Sequence, residues 1–514
     1  MTIYQSPFGD CVVPAVSITE LVLDGLALSG SRPVLRCEVT GHSLTGDTAA
    51  DRIRRLAGGL KARGIGPGSV VALMSGNTPE FATVFHGVAL AGATLTTVNP
   101  TYTAPELTHQ LQDSGAVMLI VPDALLPLAQ DACRNTAVTT IATLDHATAA
   151  PDTPCLEDLM GPALGAQVPV DLAGMAVVLP YSSGTTGLPK GVRLSHRNLV
   201  ANVMQVQRMI GVKPGDVTLA ILPFFHIYGM QVLMNMYLSA GAGLVTLPRF
   251  DLAQALTVLS RDRVEKLFVA PPVVVAFAKH PMVAEHDLSA LSFMLSGAAP
   301  LGGDVAEAAA ARLGAEVTQG YGMTEASPVT HFTAPGHNRV GSVGQLAPGT
   351  EARIVDPVTG RDAEEGELWV RGPQVMLGYH NNPEATARTL SPDGWLHTGD
   401  LARAGKDGYF TILDRVKELI KVSGFQVAPA EVEAALLAHG DVADAAVTAI
   451  PDDETGERPK AHVVAKPGTG LTAEAIAAHL AGCLAPYKRP TQIVFVDTIP
   501  KSASGKILRR LLKG

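Results

Sequence analysis

The sequence predicts an α/β protein: a large N-terminal domain of several sheets, with helices flanking largely parallel strands, and then a smaller α+β C-terminal domain. Three observations carry this. The chain has 514 residues, several domains' worth at about 150 residues each. It is 47% hydrophobic and only 17% charged, the balance of a globular chain with a large core. Apolar, β-branched runs alternate with helical stretches, and that rhythm shortens after about Asp414.

Taken in order, Ser69–Ser75 is a short apolar run, Pro79 opens a helical stretch to Ala91, and Ala93–Val98 returns to β-branched residues. That is strand, helix, strand. The unit recurs with a helix over Ala104–Gln112 and a strand at Ala116–Val121, then with Leu291–Leu295, a helix near Asp304–Arg312 and a strand at Ala315–Thr318. Alternation of this kind builds parallel sheets covered by helices. Ligands bind such sheets in loops beyond the strand C-terminal ends, where three Gly-rich loops fall here. The later, smaller units are strands at Val442–Ile450, Ala461–Lys466 and Thr491–Val496 and a helix at Ala473–Leu484. They define a domain of ordinary size, so the expected division is 1–414 and 415–514. The boundary segment Leu413–Ile420 has no Pro/Gly-rich linker, which favours a tight hinge near 415–418.

Charge and cysteine usage exclude several classes of function. With 39 Lys plus Arg against 48 Asp plus Glu the net charge is −9, and no basic stripe marks a nucleic-acid partner. Cys11, Cys37, Cys133, Cys155 and Cys483 lack the spacing of a zinc or redox pair, which fits a reducing compartment. The first residues do not read as a signal peptide. Met230–Pro248, interrupted by Gln231, Asn235 and Ser239, is short of the ~20 apolar residues that span a bilayer. The expectation is a cytoplasmic protein with no membrane insertion.

The strongest local signal is Tyr181-Ser-Ser-Gly-Thr-Thr-Gly-Leu-Pro-Lys-Gly191, directly after the apolar run Ala176–Leu179. Its small residues leave backbone N–H groups free to face phosphate oxygens, and Lys190 adds a cation. It is not a Walker A loop, because Pro189 stands where a glycine belongs and Lys190 precedes Gly191 rather than Ser or Thr. By composition alone it reads first as a flexible surface loop, which Ser/Thr/Gly clusters usually are.

Further motifs follow: Pro223–Gly229 (PFFHIYG), Gln319–Glu325 (QGYGMTE), Trp395–Asp400 (WLHTGD), Asp414–Pro429 and Pro500–Arg510 (PKSASGKILRR). Together with the Gly-rich loop, and in this order, they closely resemble the signatures of the AMP-forming acyl and aryl ligase superfamily, which includes acyl-CoA synthetases, 4-coumarate-CoA ligases and luciferases. The resemblance runs from about residue 180 to the end and is nearest to the 4-coumarate or cinnamate ligases. It implies ATP-dependent activation of a carboxylic acid as an acyl adenylate and transfer to CoA, with Mg²⁺ as cofactor and ATP and CoA as co-substrates. A medium-chain fatty acyl-CoA synthetase is the rival reading. A luciferase-like oxygenase is more distant, and a nucleotide-binding module without turnover is the rival from another class. Intact Lys506 and Glu325 count against the module. A Ser-Lys-Leu peroxisomal address is not seen at the C-terminus.

The resemblance also assigns residues. Ser182, Ser183, Gly184, Thr185, Thr186, Gly187 and Lys190 would cradle phosphates. Gln319, Gly320 and Tyr321, with Ser296–Ala299, would line the adenine pocket. Thr324 would touch the α-phosphate and Glu325 hold Mg²⁺, a hard ion suited to one carboxylate plus phosphate oxygens. Asp400 would accept the ribose hydroxyls, Arg415 reach ribose and phosphate, and Lys417 act as the hinge of a mobile C-terminal domain. Lys506 would bridge carboxylate and α-phosphate in adenylation. The domain swing would then present Lys421 with Ser423, Gly424 and Gln426 for thioester formation, with Arg249 as a CoA phosphate contact. His226 would stand at the carboxylate end of the acid pocket, lined by Tyr228, Val232, Lys279, Ala298, Gly320, Pro328, Val329 and Phe332. Val232 replaces a small polar residue common in the family, and Ser423 a lysine found in plant members. Each residue has an ordinary alternative: a helix N-terminal carboxylate for Glu325, a turn or N-cap for Asp400, solvated charges for Arg415 and Lys417, a core histidine for His226, and a basic tail for Lys506 with Lys501, Arg509 and Arg510.

Overall fold

A computed structural model describes residues 2–145, 153–182, 189–415, 418–422, 425–452, 455–502 and 505–512. The strand–helix alternation builds a seven-stranded sheet in the order Gly378–Tyr379, Lys190–Ser195, Ala176–Ser182, Thr94–Val98, Val70–Met74, Met118–Val121, Thr140–Thr143. Its last five strands are parallel, and Lys190–Ser195 returns antiparallel beside Ala176–Ser182. Thr94–Val98 is buried at every position, as a parallel strand covered on both faces must be. Helix Pro79–Leu90 is also buried all round, and its residues are apolar or small on most sides, with Glu80 and His86 as buried polar exceptions. Helix Ala104–Ser114 starts with a Thr103/Glu106 capping box and ends at left-handed Gly115, so its limits are encoded locally.

A second sheet runs Lys266–Val269, Phe293–Ser296, Glu316–Gly322, Val329–Phe332, Gln345–Leu346. Its first three strands are parallel, so their C-terminal ends release the loops beginning at Gly297 and Met323 on one edge. A small sheet joins Val217–Ala220, Gly243–Thr246, Pro33–Cys37 and Ser43–Thr45. Met230–Pro248 is core, formed by a π-helix Gly229–Asn235, a helix Met236–Ser239 and the strand Gly243–Thr246. Among the described residues no helix is long and apolar enough to cross a membrane.

A further sheet was not expected from the sequence: Tyr4–Gln5, Glu351–Val355, Glu365–Arg371, Leu396–Ala404 and Phe410–Arg415, antiparallel throughout. Two of its strands, Glu365–Arg371 and Leu396–Ala404, alternate instead of running apolar. Leu396, Thr398, Asp400 and Ala402 are buried while their neighbours are partly exposed, the pattern of a sheet with one face on the core. Asp400 therefore sits on the buried face by parity alone.

From Ile420 onward the strands Ile420–Val422, Phe425–Val427, Val442–Asp452, Gly456–Ala465 and Gln492–Phe495 form a sheet with one another only. Helices Pro429–Leu437 and Ala473–Cys483 pack on it through Val432, Leu436, Ile476 and Leu480, which share a hydrophobic cluster with Val447 and Val463.

Candidate active site

The strand ends of the two larger sheets and the C-terminal unit enclose a cleft of about 1800 Å³. Strand Glu316–Gly322 supplies Gln319, Gly320 and Tyr321 to its wall. Gln319 Oε1 accepts the Leu301 N–H at 2.9 Å, which ties this strand to the loop after Phe293–Ser296. In that loop Ala298 has φ 73°, a left-handed conformation that costs a non-glycine residue energy. Opposite, antiparallel register pairs Asp400 with Arg415. The Arg415 Nε lies 3.0 Å from Asp400 Oδ1, and the Tyr321 hydroxyl donates to Oδ2 at 2.5 Å. Burial pushes the Asp400 carboxyl up, while Arg415 and the Tyr321 hydroxyl pull it back. Burial, reinforced by the Asp400 charge, drives the Tyr321 phenol well above its usual range.

Thr324 and Glu325 occupy a single 3₁₀ turn beyond Gly322. Glu325 is buried; its Oε1 accepts from the Ser182 hydroxyl at 3.0 Å and the Tyr379 hydroxyl at 2.8 Å. Tyr379 lies on the strand paired with Lys190–Ser195, and the Lys190 ammonium stands 5.0 Å from its ring centroid, within cation–π range. Both ends of the Gly-rich loop are thus tied to Glu325 and its hydroxyl partner. The loop residues Ser183, Gly184, Thr185, Thr186 and Gly187 lie outside the described residues. No cluster of three His, Cys, Asp or Glu capable of holding a metal exists among the described residues. Glu325 is a single buried carboxylate lining the cleft, and Mg²⁺ is usually held by one or two carboxylates plus substrate phosphates.

On the acid side, His226 lines the cleft and its Nδ1 accepts the Tyr228 N–H at 3.3 Å. Burial and then the charge of Lys506 lower its imidazole to about 4, so it is neutral at pH 7. The Tyr228 hydroxyl donates to the Leu295 carbonyl at 3.3 Å, fixing its ring across the pocket. Tyr228, Val232, Ala298, Gly320, Pro328, Val329 and Phe332 all line the cleft. Lys279 is not among the residues that line it. Helix Pro271–Lys279 reaches the cleft with Pro271, Pro272 and Val275. Seven residues past Pro272, at ~1.5 Å per residue, Lys279 lies about 10 Å further along. It is exposed in the last turn, where a cation complements the helix dipole.

The C-terminal unit closes the cleft with Lys506. Burial and then nearby Arg415 lower its ammonium below the ordinary lysine range, against the carboxylates of Glu418, Asp400 and Glu325. Lys421 is exposed and, like exposed Arg249, does not line the cleft. Lys417, Ser423 and Gly424, and the Gln426 side chain, lie outside what is described.

Several lining residues carried no signal in the sequence. Tyr379 reaches Glu325 across 54 residues, and Val206, Phe268 and Leu295 add apolar wall from three separate elements. Only the fold brings these together.

Known proteins supply a second, independent line of evidence. The description of AMP-binding enzymes matches residues 27–380, and that of their C-terminal domain matches 431–506. The chain is 41% identical to 4-coumarate–CoA ligase 5 of Oryza sativa subsp. japonica over 525 residues, 99% of this chain and 97% of the relative. Its fold superposes on ATP-bound MatB from Rhodopseudomonas palustris with a TM-score of 0.88 and 28% identity, covering 97% of this chain and 98% of that one. Against the anthranilate CoA ligase AuaEII in complex with anthranoyl-AMP the TM-score is 0.89 at 27% identity, covering 97% and 96%.

Proposed function

The chain belongs to the family of AMP-binding enzymes, and from that premise we propose that it activates a phenylpropenoid acid such as 4-coumarate or cinnamate. It is an ATP-dependent, AMP-forming acid–CoA ligase. The acid's carboxylate attacks the α-phosphorus of ATP, an acyl–phosphate bond forms and pyrophosphate leaves. The CoA thiol then attacks the acyl carbon, and the bond to AMP breaks. The observation that supports the aromatic acid is the lining of the pocket: the rings of Tyr228 and Phe332 share it with small Ala298 and Gly320 and with His226, a set of residues suited to a flat ring. The relatives named 4-coumarate–CoA ligase, 36–41% identical over nearly the whole chain, point the same way.

The residues divide the work. Ser182 and Lys190, with the Gly-rich loop between them, hold phosphates, and Thr324 reaches the α-phosphate. Glu325 would hold Mg²⁺, which when bound neutralises phosphate charge as the pentavalent state forms. Asp400 takes the ribose hydroxyls; a carboxylate has about four lone-pair positions, and Tyr321 and Arg415 occupy two of them. Gln319, Gly320, Tyr321 and Ala298 enclose the adenine. Lys506 bridges the acid's carboxylate and the α-phosphate, where a preorganised cation stabilises the developing charge. Neutral His226 leaves that carboxylate without a competing cation. Residues 1–414 and 415–514 act as two bodies about a hinge near 415–418, so that Lys421 and Gln426 replace Lys506 at the site when CoA attacks, with Arg249 on the CoA phosphates.

Pyrophosphate release and acyl-CoA formation across a panel of aromatic and C6–C12 aliphatic acids, with and without CoA, test the reading. Cinnamate and 4-coumarate should give the highest kcat/KM. Turnover confined to aliphatic acids would replace it with the medium-chain reading, and absence of CoA-dependent AMP formation with any acid would overturn both.

A further inference from the structure

Lys506 lies in a hairpin whose two arms are bridged at Lys501 and Ile507, one residue before that bridge. The hairpin closes on itself: the Leu508 N–H donates to the Pro500 carbonyl at 2.8 Å, the Ser502 N–H to the Lys506 carbonyl at 2.8 Å, and the Lys506 N–H to the Ser502 hydroxyl at 3.1 Å. These bonds shape the hairpin but do not aim it. Aim comes from its two feet. On one side the Lys501 ammonium pairs with Asp444 at 2.6 Å. On the other, the Arg509 guanidinium is occupied on all three nitrogens. Its Nη2 meets both oxygens of Glu433 at 2.7 and 2.8 Å, Nη1 pairs with Glu418, and Nε donates to the Val447 carbonyl at 3.1 Å. Glu433 is itself fixed, since its Oε1 accepts the Val447 N–H at 2.7 Å. The side chains of Arg509, Glu418 and Glu433 are only 16%, 17% and 10% exposed.

We propose that Arg509 is a positioning residue for adenylation: it locks the hairpin that carries Lys506 to helix Pro429–Leu437, strand Val442–Asp452 and the segment following Arg415, and so sets where the Lys506 ammonium enters the cleft. A planar fork holding two carboxylates and a carbonyl fixes direction as well as distance, which a lysine cannot do. All three nitrogens of Arg509 are held by Glu433, Glu418 and the Val447 carbonyl although the residue borders the cleft. The ordinary alternative is a buried ion cluster that only stabilises the unit, and the two differ in which half-reaction they disturb. The inference rests on the adenylation role of Lys506 given above.

The test compares Arg509→Gln, Arg509→Lys and Lys506→Ala in two assays: cinnamate-dependent pyrophosphate release from ATP, and thioester formation from synthetic cinnamoyl adenylate plus CoA. A reacting group displaced by ~1 Å loses about 10²-fold. Arg509→Gln should therefore lower kcat of the first assay by about that factor with KM for ATP little changed, leave the second within about threefold, and fall below Arg509→Lys. Equal loss in both assays, or no loss in the first, would overturn the proposal. If Arg509→Gln does not fold, Arg509→Lys decides by the same split. Retention of adenylation by Lys506→Ala would refute the role of Lys506 itself, whatever Arg509 does.

Discussion

Lys506 must carry its charge into a site where burial and nearby Arg415 both disfavour it, and that has a measurable consequence. The protonated form is the one penalised, so the free enzyme loses the Lys506 proton at a lower pH than the ~10.4 of an ordinary lysine. Because kcat/KM reports the free enzyme, kcat/KM for ATP in pyrophosphate release should fall on an alkaline limb below that value. Lys506→Arg, which does not titrate in this range, should be slower yet lack the limb; an identical limb in both proteins would mean another group titrates there. Val232 allows a second residue-scale test. It is buried in the pocket wall and apolar, so a 4-hydroxyl placed against it without a partner forfeits about 1–3 kcal/mol. Cinnamate should then be used at least as well as 4-coumarate, and Val232→Ser should shift the ratio of their kcat/KM toward 4-coumarate. A wild-type preference for 4-coumarate beyond about tenfold, unchanged by the substitution, would show that Val232 does not face the ring. Lys506 stands out in the sequence because it sits in a contiguous motif, whereas Val232, three residues beyond Pro223–Gly229, is singled out only by the family resemblance. Tyr379 stands out in neither way, because a hydroxyl reaching Glu325 across 54 residues leaves no local pattern. For Lys279 a motif match fixes a place in the chain but not which end of helix Pro271–Lys279 meets the cleft, and it is the Pro271 end that does.

At the scale of elements, the site depends on how tightly two strands turn. Strand Glu316–Gly322 returns as Val329–Phe332 with an irregular register at Tyr321/Gly322, and the intervening turn holds Thr324 and Glu325. A Cβ on Gly322 would lie 2.1 Å from the Pro328 carbonyl oxygen and 2.8 Å from its carbon. That obstacle is backbone, so no side chain can swing away. Gly322→Ala must open the turn, at the ~1–3 kcal/mol typical of overpacking. The denaturant midpoint should fall, and kcat for adenylation should fall by about 10², as expected when reacting groups shift by an ångström. Wild-type values of both would show that the turn relaxes freely. The same scale explains what the sequence reading found and what it overlooked. Parallel strands such as Thr94–Val98, buried at every position, stand out as β-branched runs. Leu396–Ala404 spends alternate positions on partly exposed residues and places Asp400 on its buried side, so its charge reads as a loop residue until the pairing with Arg415 is known.

For the whole molecule the decisive question is whether one orientation of the C-terminal unit can serve both half-reactions. With Lys506 in the cleft, Lys421 is exposed and outside it, so thioester formation through Lys421 requires the unit to leave. The contact that must break is close: a Cβ built on Gly505 would lie 3.4 Å from the Ala270 Cβ and 3.5 Å from Pro272 Cδ. A disulfide needs Cβ atoms about 3.5–4.5 Å apart, so Ala270→Cys with Gly505→Cys should lock the unit where it is. Gly505 has φ 84°, and a side chain there costs about 1–2 kcal/mol, which makes the reduced double variant the proper reference. Exposed Cys483 would be replaced by serine first. The oxidised protein should release pyrophosphate and retain the acyl adenylate, yet fail to make acyl-CoA from added CoA until a reductant opens the bond. Undiminished acyl-CoA turnover by the fully cross-linked protein would mean that the CoA thiol reaches the adenylate with Lys506 still in place, and that no rotation about residues 415–418 is needed.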